Sequence, residues 1–522
     1  MTEDPIHTMS LTRRNTLKLL AGAPSLRLSR ATAADEPAIP SGPFRGTRES
    51  LRDYRIPDWY AKAKFGIWAH WGPQSAPEYG DWYARNMYIQ GSRQYKYHLE
   101  HYGHPSKFGY KDVIPTWKAE NFDPEHLIDL YKKAGAQYFV SMGVHHDNFD
   151  LWNSKHHRWN AAKMGPKRDI VSLFRKAALK RGLRFGISEH LAPSYPWFQT
   201  SHGSDKTGPY KGVPYDGVDP RYADLYHDYP ETYQTPKVPW NVEGVPASWK
   251  RTYFMRIKDL IDQFEPDYLD TDGPIYFEEW GLALVAHSYN RSAKRHGGAV
   301  EAVWTSKRPE DCAIGTCVLE CERGIVESIW PNPWQTATCI GNWHYDKEAK
   351  YKSPKIIIDM LVDTVSRNGN LLLNFPLKSD GTLDPEELRI LSEITEWMSV
   401  NGEAIYDTRP WKIFGAGAEA PSTSQKDPTF NERNRKELTA GDLRFTRKGD
   451  TLYAFSMGWP ENELSIRPLA EKGELGAGKI QNVELLGFKG KLQWTQDEAG
   501  LKVQMPRDRV CNYAAVLKVM GA

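Results

Sequence analysis

Short apolar runs alternate with amphipathic stretches of helical periodicity from about Tyr54 to about Met398. Residues 65–69 and 138–142 are predicted strands, and residues 126–135 between them form a predicted helix that ends at a glycine. Strands and helices that alternate in this way are typical of repeated βα units and a parallel sheet. The connections favour a closed barrel over an open sheet by a small margin.

The chain changes character after Gly402. Short alternating runs at residues 443–446 and 451–456 are separated by polar turns, which is typical of antiparallel strands. A length of 522 residues also exceeds what one compact core usually supports. We therefore assign residues 44–400 to a barrel domain and residues 401–522 to a smaller antiparallel β domain.

Residues 1–33 have the composition of a bacterial export signal. Arg13 and Arg14 precede an apolar stretch, and the small residues 31–33 supply an A-x-A cleavage pattern. We predict a signal of the twin-arginine type and a periplasmic or secreted protein, with a basic disordered N-terminus as the alternative. No later stretch approaches the ~20 apolar residues needed to span a bilayer.

Charge and composition narrow the class of partner. The formal net charge is +2 and both signs are well mixed, so the chain lacks the basic field that binds nucleic acids or anionic membranes. The 19 Trp and 27 Tyr residues favour a carbohydrate ligand, because flat amphipathic rings pack on sugar faces, although large β-rich cores also use aromatic residues. Nothing in the composition indicates an oligomeric state.

Four predicted strands are each followed by histidine or a carboxylate. In a barrel of βα units the active site lies at the carboxyl ends of the strands. One such residue alone is more often structural, whereas four positions together indicate a site. They are His70, His145 with His146, Glu189 with His190, and Asp270 with Asp272.

A pair of carboxyl groups is the chemistry that these residues indicate, since the sequence has no serine nucleophile elbow and no glycine-rich phosphate loop. Hydrolysis of a glycosidic bond needs two carboxyl groups, one on each side of the bond. Asp272 is one candidate. Glu320 and Glu322 are candidates for the other, and both point to the same face of a predicted strand, so alternation cannot choose between them.

Zinc binding by His70, His145 and His146 is the rival interpretation. The adjacent His145 and His146 would leave a strand end in opposite directions, so they would not easily bind one ion. We therefore expect no metal and no cofactor.

Several stretches resemble motifs of glycoside hydrolase family 29, the α-L-fucosidases. They occur in the family's order and span the whole predicted barrel, so jointly they are specific. The matching stretches are K-F-G-I-W-A-H-W-G (residues 64–72), D-W-Y (81–83), A-G-A-Q-Y leading to H-H-D-N-F (134–149), P-D-Y-L-D-T-D-G (266–273), W-Q-T leading to G-N-W-H-Y (334–345) and D-T-V-S-R-N-G-N-L-L-L-N (363–374).

The resemblance implies a (β/α)8 TIM-like barrel followed by an antiparallel β-sandwich. It also implies exo-acting, retaining hydrolysis of terminal α-L-fucose from a glycan or oligosaccharide, without a metal. The nucleophile would be Asp272 and the general acid/base Glu322, with Glu320 as the reserve. Residues that the resemblance places against the sugar are His70, Trp82, His145, His146 and Trp343.

The chain departs from the family motifs at two places. It has Ser188-Glu189-His190 where the family often has Y-Y-S, which makes Glu189 a candidate for a further sugar contact. The family usually has an aromatic residue two positions before the nucleophile, whereas this chain has Asp270. A second acid at that place raises the pKa of Asp272 unless a cation offsets it.

The motifs do not locate the family's substrate-binding arginine, for which Arg308 and Arg323 are the candidates. Three alternatives to simple fucoside hydrolysis stay open. They are the same chemistry on a related sugar such as α-L-galactose, the same chemistry on a sulfated fucan, and a fucose-binding protein that has lost catalysis.

Overall fold

Eight parallel strands close into a barrel in sequence order in the computed structural model. The structure describes residues 37–522 except 235, 314, 418–428 and 476, so the predicted export signal lies outside the described residues. The barrel strands are β1 Phe65–Ala69, β2 Tyr138–Val144, β3 Arg184–Glu189, β4 Tyr268–Asp270, β5 Val303–Ser306, β6 Val318–Glu322, β7 Trp334–Cys339 and β8 Gly369–Asn374.

The last barrel strand returns to the first. β8 pairs with β1 in parallel, with Phe65 opposite Leu371 and Ile67 opposite Leu373, so the predicted barrel is confirmed and the open sheet is excluded. Strands β1, β2 and β8 are buried along their whole length, because helices cover the outside and side chains fill the inside. Burial on both faces explains why these strands are mostly apolar in the sequence.

Helices connect the strands and pack on the outside of the barrel. The helix predicted for residues 126–135 is observed at Pro124–Lys133. The Asp123 side chain caps its start by accepting from the backbone N–H of His126, and Gly135 follows its end with a φ of +100°. None of the described helices is long and apolar enough to cross a membrane.

The principal helices are α1 Pro124–Lys133, α2 Ile170–Lys180, α3 Ala247–Phe264, α4 Glu279–Arg295, α5 Pro309–Ala313, α6 Pro354–Ser366 and α7 Pro385–Asn401. Further α-helices lie at Arg48–Leu51, Asp58–Ala63, Tyr83–Asn86, Arg93–His101, Tyr110–Val113, Ser194–Trp197 and Ala223–Tyr226.

Two antiparallel sheets follow the barrel. Their strands are β9 Arg409–Ala416, β10 Leu443–Lys448, β11 Thr451–Ser456, β12 Glu463–Ile466, β13 Asn482–Leu485, β14 Trp494–Asp497, β15 Gly500–Gln504 and β16 Ala515–Met520. One sheet has the order β13-β16-β11-β10-β9 and the other has the order β12-β15-β14. Phe445 and Leu517 from the first sheet meet Ile466 from the second in one hydrophobic core, which confirms the expected β-sandwich.

Candidate active site

Five histidines converge at the carboxyl ends of the barrel strands. His70 follows β1, His145 and His146 follow β2, His190 follows β3, and His344 lies beyond the end of β7. All five are buried, and the ring centroid of His145 lies 4.5 to 5.1 Å from the other four. The three histidines predicted to contact the sugar are therefore neighbours, and the unpredicted His344 joins them.

Hydrogen bonds determine the tautomer of His145. Its Nδ1 lies 2.8 Å from the Gln74 side-chain nitrogen, and the backbone N–H of Ala84 donates to Gln74 Oε1 at 3.3 Å. Gln74 therefore donates to His145, whose Nδ1 accepts and whose Nε2 carries the proton. An Nε2–H group can donate to a sugar hydroxyl and has no lone pair for a metal ion.

His70 is unusual because neither of its ring nitrogens finds a hydrogen-bond partner among the described residues, although the side chain is only 2% exposed. Burial, assisted by His344 and His190, holds the pKa of His70 well below its ordinary value, so the ring is neutral. A neutral imidazole offers one donor and one acceptor. Buried polar groups are normally paired, so His70 is suited to contact a bound ligand.

Asp272 follows β4 with a left-handed backbone, φ +50°, a conformation that is uncommon for non-glycine residues. One carboxylate oxygen lies 3.3 Å from His146 Nε2 and 3.3 Å from His190 Nδ1. The Lys307 ammonium contacts the other oxygen.

The charge of Asp272 follows from these neighbours. Burial alone would raise the pKa of Asp272, but the positive charges of His190 and Lys307 hold it well below its ordinary value. The cations needed to offset the neighbouring Asp270 are therefore present, and Asp272 is ionised.

His146 lies between two acceptors. Its Nδ1 is 2.6 Å from the His190 carbonyl oxygen, to which it donates, and its Nε2 faces the ionised Asp272. A ring with an acceptor on each side carries a proton on both nitrogens. His146 is therefore positively charged, which again leaves no lone pair for a metal.

Glu322 ends β6 and faces Asp272 across Lys307. Its carboxylate lies 2.6 Å from Lys307 Nζ and accepts from the Trp343 indole N–H at 3.1 Å. Because one ammonium contacts both carboxylates, their nearest oxygens are at most two hydrogen bonds apart, ~6 Å. Hydrolysis of a glycosidic bond needs two carboxyl groups that flank the bond, and these two are close enough to do so.

Glu320 lies one layer deeper in the barrel. It is 2% exposed and accepts from the Gln335 side chain at 3.2 Å. Burial, together with the charge of Asp270, raises the pKa of Glu320 well above its ordinary value, so this carboxyl group is neutral. Of the two candidate glutamates, Glu322 is the one that contacts the same ammonium as Asp272.

Lys307 is the cation between the carboxylates, and it was not among the predicted site residues. It follows β5, so the rule that selected the other strand ends also points to it. Neither predicted arginine occupies this place. Arg323 lies over the Trp343 ring, 5.4 Å from its centroid, and donates to Cys339 Sγ at 2.9 Å.

Aromatic rings flank the histidine cluster. The ring centroid of Trp343 lies 5.2 Å from that of Trp68 and 5.6 Å from that of His70. The centroid of Trp82 lies 6.2 Å from that of His146. Both tryptophans predicted to contact the sugar therefore lie beside the histidine cluster.

Glu189 lies behind the pocket wall. Its carboxyl group accepts from the Tyr253 hydroxyl of α3 at 2.9 Å and from the backbone N–H of Leu191 at 3.1 Å. Burial raises the pKa of Glu189 well above its ordinary value, so it is neutral. The next residue, His190, lies beside Asp272 instead, and the sugar contact of Glu189 stays a prediction.

A segment from beyond the barrel supports the end of β6. The backbone N–H of Phe430 donates to the Glu322 carbonyl at 2.7 Å, and that of Glu432 donates to the Arg323 carbonyl at 2.8 Å. The Asn431 side chain bonds both the N–H and the carbonyl of Ile325. These bonds hold the backbone from which the Glu322 side chain extends.

Comparison with known proteins identifies the family. The model of the alpha-L-fucosidase family matches residues 31–403, and that of the alpha-L-fucosidase C-terminal domain matches residues 435–520. The chain is 28% identical to the tissue alpha-L-fucosidase of Homo sapiens over 475 residues, 88% of this chain and 87% of the human protein. It is 28% identical to the plasma alpha-L-fucosidase of Homo sapiens over 487 residues, 90% of each chain.

A solved structure of similar fold is that of the Thermotoga maritima alpha-fucosidase in complex with fucose. It is 26% identical, has a TM-score of 0.68, and the match covers 91% of this chain and 100% of that one. The first family model covers most of the chain, including every barrel strand. The resemblance in the motifs is thus confirmed, and the chain belongs to the alpha-L-fucosidases, glycoside hydrolase family 29.

Proposed function

We propose that this protein is an exo-acting, retaining glycoside hydrolase that releases terminal α-L-fucose from glycans or oligosaccharides. The observation that carries the proposal is the pair Asp272 and Glu322, which face each other across one ammonium group at the carboxyl ends of the barrel strands. Relatives over most of the chain are tissue and plasma fucosidases, and a related structure holds fucose.

In the first half of the reaction Asp272 attacks C1 of the fucose and forms a covalent ester. The bond between C1 and the glycosidic oxygen breaks, and Glu322 in its acid form donates a proton to that oxygen. The Trp343 indole N–H, bonded to Glu322 at 3.1 Å, orients the carboxyl group.

In the second half a water molecule takes the place of the departed group. Glu322 accepts a proton from this water, whose oxygen bonds to C1 while Asp272 leaves as a carboxylate. Each half inverts the configuration at C1, so the product keeps the α configuration of the substrate.

Lys307 occupies the space between the two carboxyl groups, where C1 of the sugar must lie. Its flexible four-carbon side chain allows the ammonium to withdraw when the sugar enters. We assign Lys307 as the cation that keeps the free site neutralised and then contacts the bound sugar.

The histidines and tryptophans bind the sugar in this proposal. His70 and His145 present ring nitrogens to its hydroxyls, and His146 contacts it beside the nucleophile. Trp82 and Trp343 pack on its apolar surfaces. We propose that no metal or cofactor takes part, because the tautomer of His145 and the two acceptors around His146 leave these nitrogens without lone pairs for an ion.

Release of an aryl alcohol from an aryl α-L-fucoside tests the proposal. Wild-type protein should release it, and Asp272→Ala should lower kcat at least ~10⁴-fold. Proton NMR of the first product should show the α anomer, as retention requires. No release above the Asp272→Ala background would overturn the proposal.

Matched substrates separate the alternatives. Faster hydrolysis of the aryl α-L-galactoside would assign the enzyme to that sugar, and turnover confined to sulfated oligosaccharides would assign it to sulfated fucans. Calorimetric binding of fucose without turnover would identify a binding protein.

We further propose that residues 1–33 direct export, so that the enzyme acts in the periplasm or outside the cell. Cell fractionation should find the wild-type protein outside the cytoplasm and the R13K/R14K variant inside it. Equal distribution of the two would contradict twin-arginine export.

A further inference from the structure

The pocket wall beside Asp272 contains a hydrogen-bonded chain at the two places where the sequence departs from the family motifs. Its members Ser188, His190 and Asp270 are at most 2% exposed. Ser188 Oγ lies 2.6 Å from His190 Nε2 and donates to Asp270 Oδ2 at 3.0 Å. These hydrogen bonds lead from the buried Asp270 carboxylate to the His190 ring, whose opposite nitrogen borders Asp272.

The hydrogen bonds among Ser188, His190 and Asp270 determine whether His190 Nε2 carries a proton. Asp270 is held ionised by its donors, because the Thr305 hydroxyl and the backbone N–H of Asp272 donate to its Oδ1 at 3.0 and 3.1 Å. The single hydroxyl proton of Ser188 therefore goes to Asp270 Oδ2. The Ser188 oxygen must accept from His190, so Nε2 carries a proton.

The other nitrogen of His190 faces the nucleophile. Nδ1 lies 3.3 Å from Asp272 Oδ2, and the described residues give it no hydrogen-bond partner. A bare lone pair opposite an ionised carboxylate oxygen would be repelled, whereas a proton on Nδ1 converts the repulsion into attraction. His190 therefore carries a proton on each nitrogen.

We propose that His190 is a positioning residue for the nucleophile. As an imidazolium anchored through Ser188 to Asp270, it holds Asp272 Oδ2 in place and leaves Oδ1 as the oxygen that attacks C1. The inference rests on the proposed role of Asp272 in fucoside hydrolysis.

The position of His190 distinguishes it from Lys307. Lys307 contacts Oδ1 and must withdraw when the sugar enters, whereas His190 contacts Oδ2 and can stay. After sugar binding, His190 and His146 are therefore the cations that still contact the nucleophile. Burial opposes ionisation of Asp272, and His190 is the foremost of the charges that lower its pKa.

The pH dependence of Asp272 depends on all the titratable and charged groups around it. They are His70 after β1, His146 after β2, Glu189 in β3, His190 after β3, Asp270 in β4, Tyr276 in the loop after β4, Lys307 after β5, and Glu320 and Glu322 in β6.

His190→Gln tests the proposal because it keeps a hydrogen-bonding side chain and removes the positive charge. A nucleophile must be ionised, so activity falls as pH drops through the pKa of Asp272. Without His190 that pKa is higher, so the acidic limb of kcat/KM on an aryl α-L-fucoside should move up by about one pH unit. We expect kcat to fall ~10- to 100-fold and KM to change less than about threefold.

His227→Gln is the matched control. His227 is also buried, and its Nε2 lies 2.9 Å from the Ser194 hydroxyl, but it makes no ion pair with a carboxylate of the described residues. The acidic limb of kcat/KM for His227→Gln should coincide with that of the wild-type protein. Ser188→Ala removes the hydroxyl that links His190 to Asp270 without changing the charge, and it should lower kcat ~3- to 10-fold.

An acidic limb of His190→Gln at the wild-type pH, or an equal shift in His227→Gln, would overturn the positioning role. If His190→Gln does not fold, an unchanged kcat in Ser188→Ala overturns it. Failure of the proposed function is a separate result, because then the wild-type protein releases no aryl alcohol above Asp272→Ala. In that case 13C-aspartate NMR, assigned through Asp272→Asn, can follow the Asp272 titration without turnover.

Discussion

Two polar layers cross the barrel interior, and they differ in how their groups are satisfied. The deeper layer is centred on Gln335, whose Oε1 accepts from the hydroxyls of Tyr60 and Tyr138 at 3.1 and 3.0 Å. Its amide nitrogen donates to the Tyr268 hydroxyl at 2.6 Å and to Glu320 at 3.2 Å. In the upper layer, by contrast, His70 has no partner for either nitrogen among the described residues.

This difference shows which buried groups can contribute free energy to ligand binding. Polar groups that satisfy one another stabilise the fold and gain nothing from a ligand, whereas buried groups without partners gain a hydrogen bond when a ligand arrives. β6 crosses both layers and contributes one glutamate to each. Glu320 is neutral in the deeper layer, and Glu322 pairs with an ammonium in the upper one.

The largest difference between the two layers is expected when each glutamate of β6 is exchanged for glutamine. Glu322→Gln should lower kcat ~10²- to 10⁴-fold on a fucosylated oligosaccharide, because the leaving oxygen loses its proton donor. An aryl fucoside with a good leaving group should be affected less in its first step. Glu320→Gln should stay within about threefold of wild type, and steady-state kinetics that reverse this order would assign the acid/base to Glu320.

Removing the ammonium of the upper layer should have the next largest effect. Lys307→Met should lower kcat/KM ~10²-fold and move its acidic limb to higher pH, since the pKa of Asp272 rises when a neighbouring cation is lost. Lys347→Met is the matched control, because this exposed lysine lies over the Tyr97 ring and not beside Asp272, and it should leave the pH profile unchanged. Equal effects of the two variants would show that general surface charge, not contact with Asp272, is responsible.

His70→Phe should weaken activity and spare the fold. The replacement keeps an aromatic ring but removes both nitrogens, so kcat/KM should fall ~10-fold through lost bonds to the sugar. Because neither nitrogen has a partner in the free protein, thermal unfolding should occur at or above the wild-type temperature. A large drop in melting temperature with normal kinetics would contradict the ligand-binding role of His70.

In the deeper layer, Tyr138→Phe should lower stability and leave activity unchanged. It removes one donor to Gln335, so the free energy of unfolding should fall by ~1 kcal/mol. Kinetics on the aryl fucoside should stay at wild-type values. Denaturant unfolding and steady-state rates measured on the same preparation check both expectations.

The smallest effect is a change in how stability depends on pH. The folded protein keeps Glu320 protonated, whereas the unfolded chain releases this proton above about pH 4.3. Glu320 therefore lowers the free energy of unfolding progressively as pH rises above that value. Glu320→Gln should flatten this slope in urea titrations between pH 5 and 8, and an unchanged slope would mean that Glu320 is ionised in the folded protein.

Local sequence was sufficient for much of the fold. The run predicted at residues 451–456 is β11 in full, and the predicted helix near residue 126 differs from α1 by two residues at each end. Antiparallel strands with one buried face alternate, and helices covering a barrel have one apolar side, so their periodicity is visible in the chain.

Strand alternation and position after a strand carry further information about the site. Strand alternation in β3 separates Glu189 from Ser188 and His190, and the structure indeed turns Glu189 toward Tyr253 and the other two toward Asp270. Lys307 follows β5 as the predicted histidines follow their strands. Lys307 lies outside all the stretches that match the family motifs.

The sequence by itself determined the order of strands and helices, the polar strand ends and the identity of Asp272 as the leading carboxylate. Only the tertiary structure decided that Glu322 faces Asp272, that Lys307 lies between them, and that His190 borders Asp272. The physical reason is that residues two apart on a strand share a face but lie at different depths. The neighbours that a residue contacts at each depth depend on the stagger between strands that are distant in the sequence, and this stagger is set when the barrel closes.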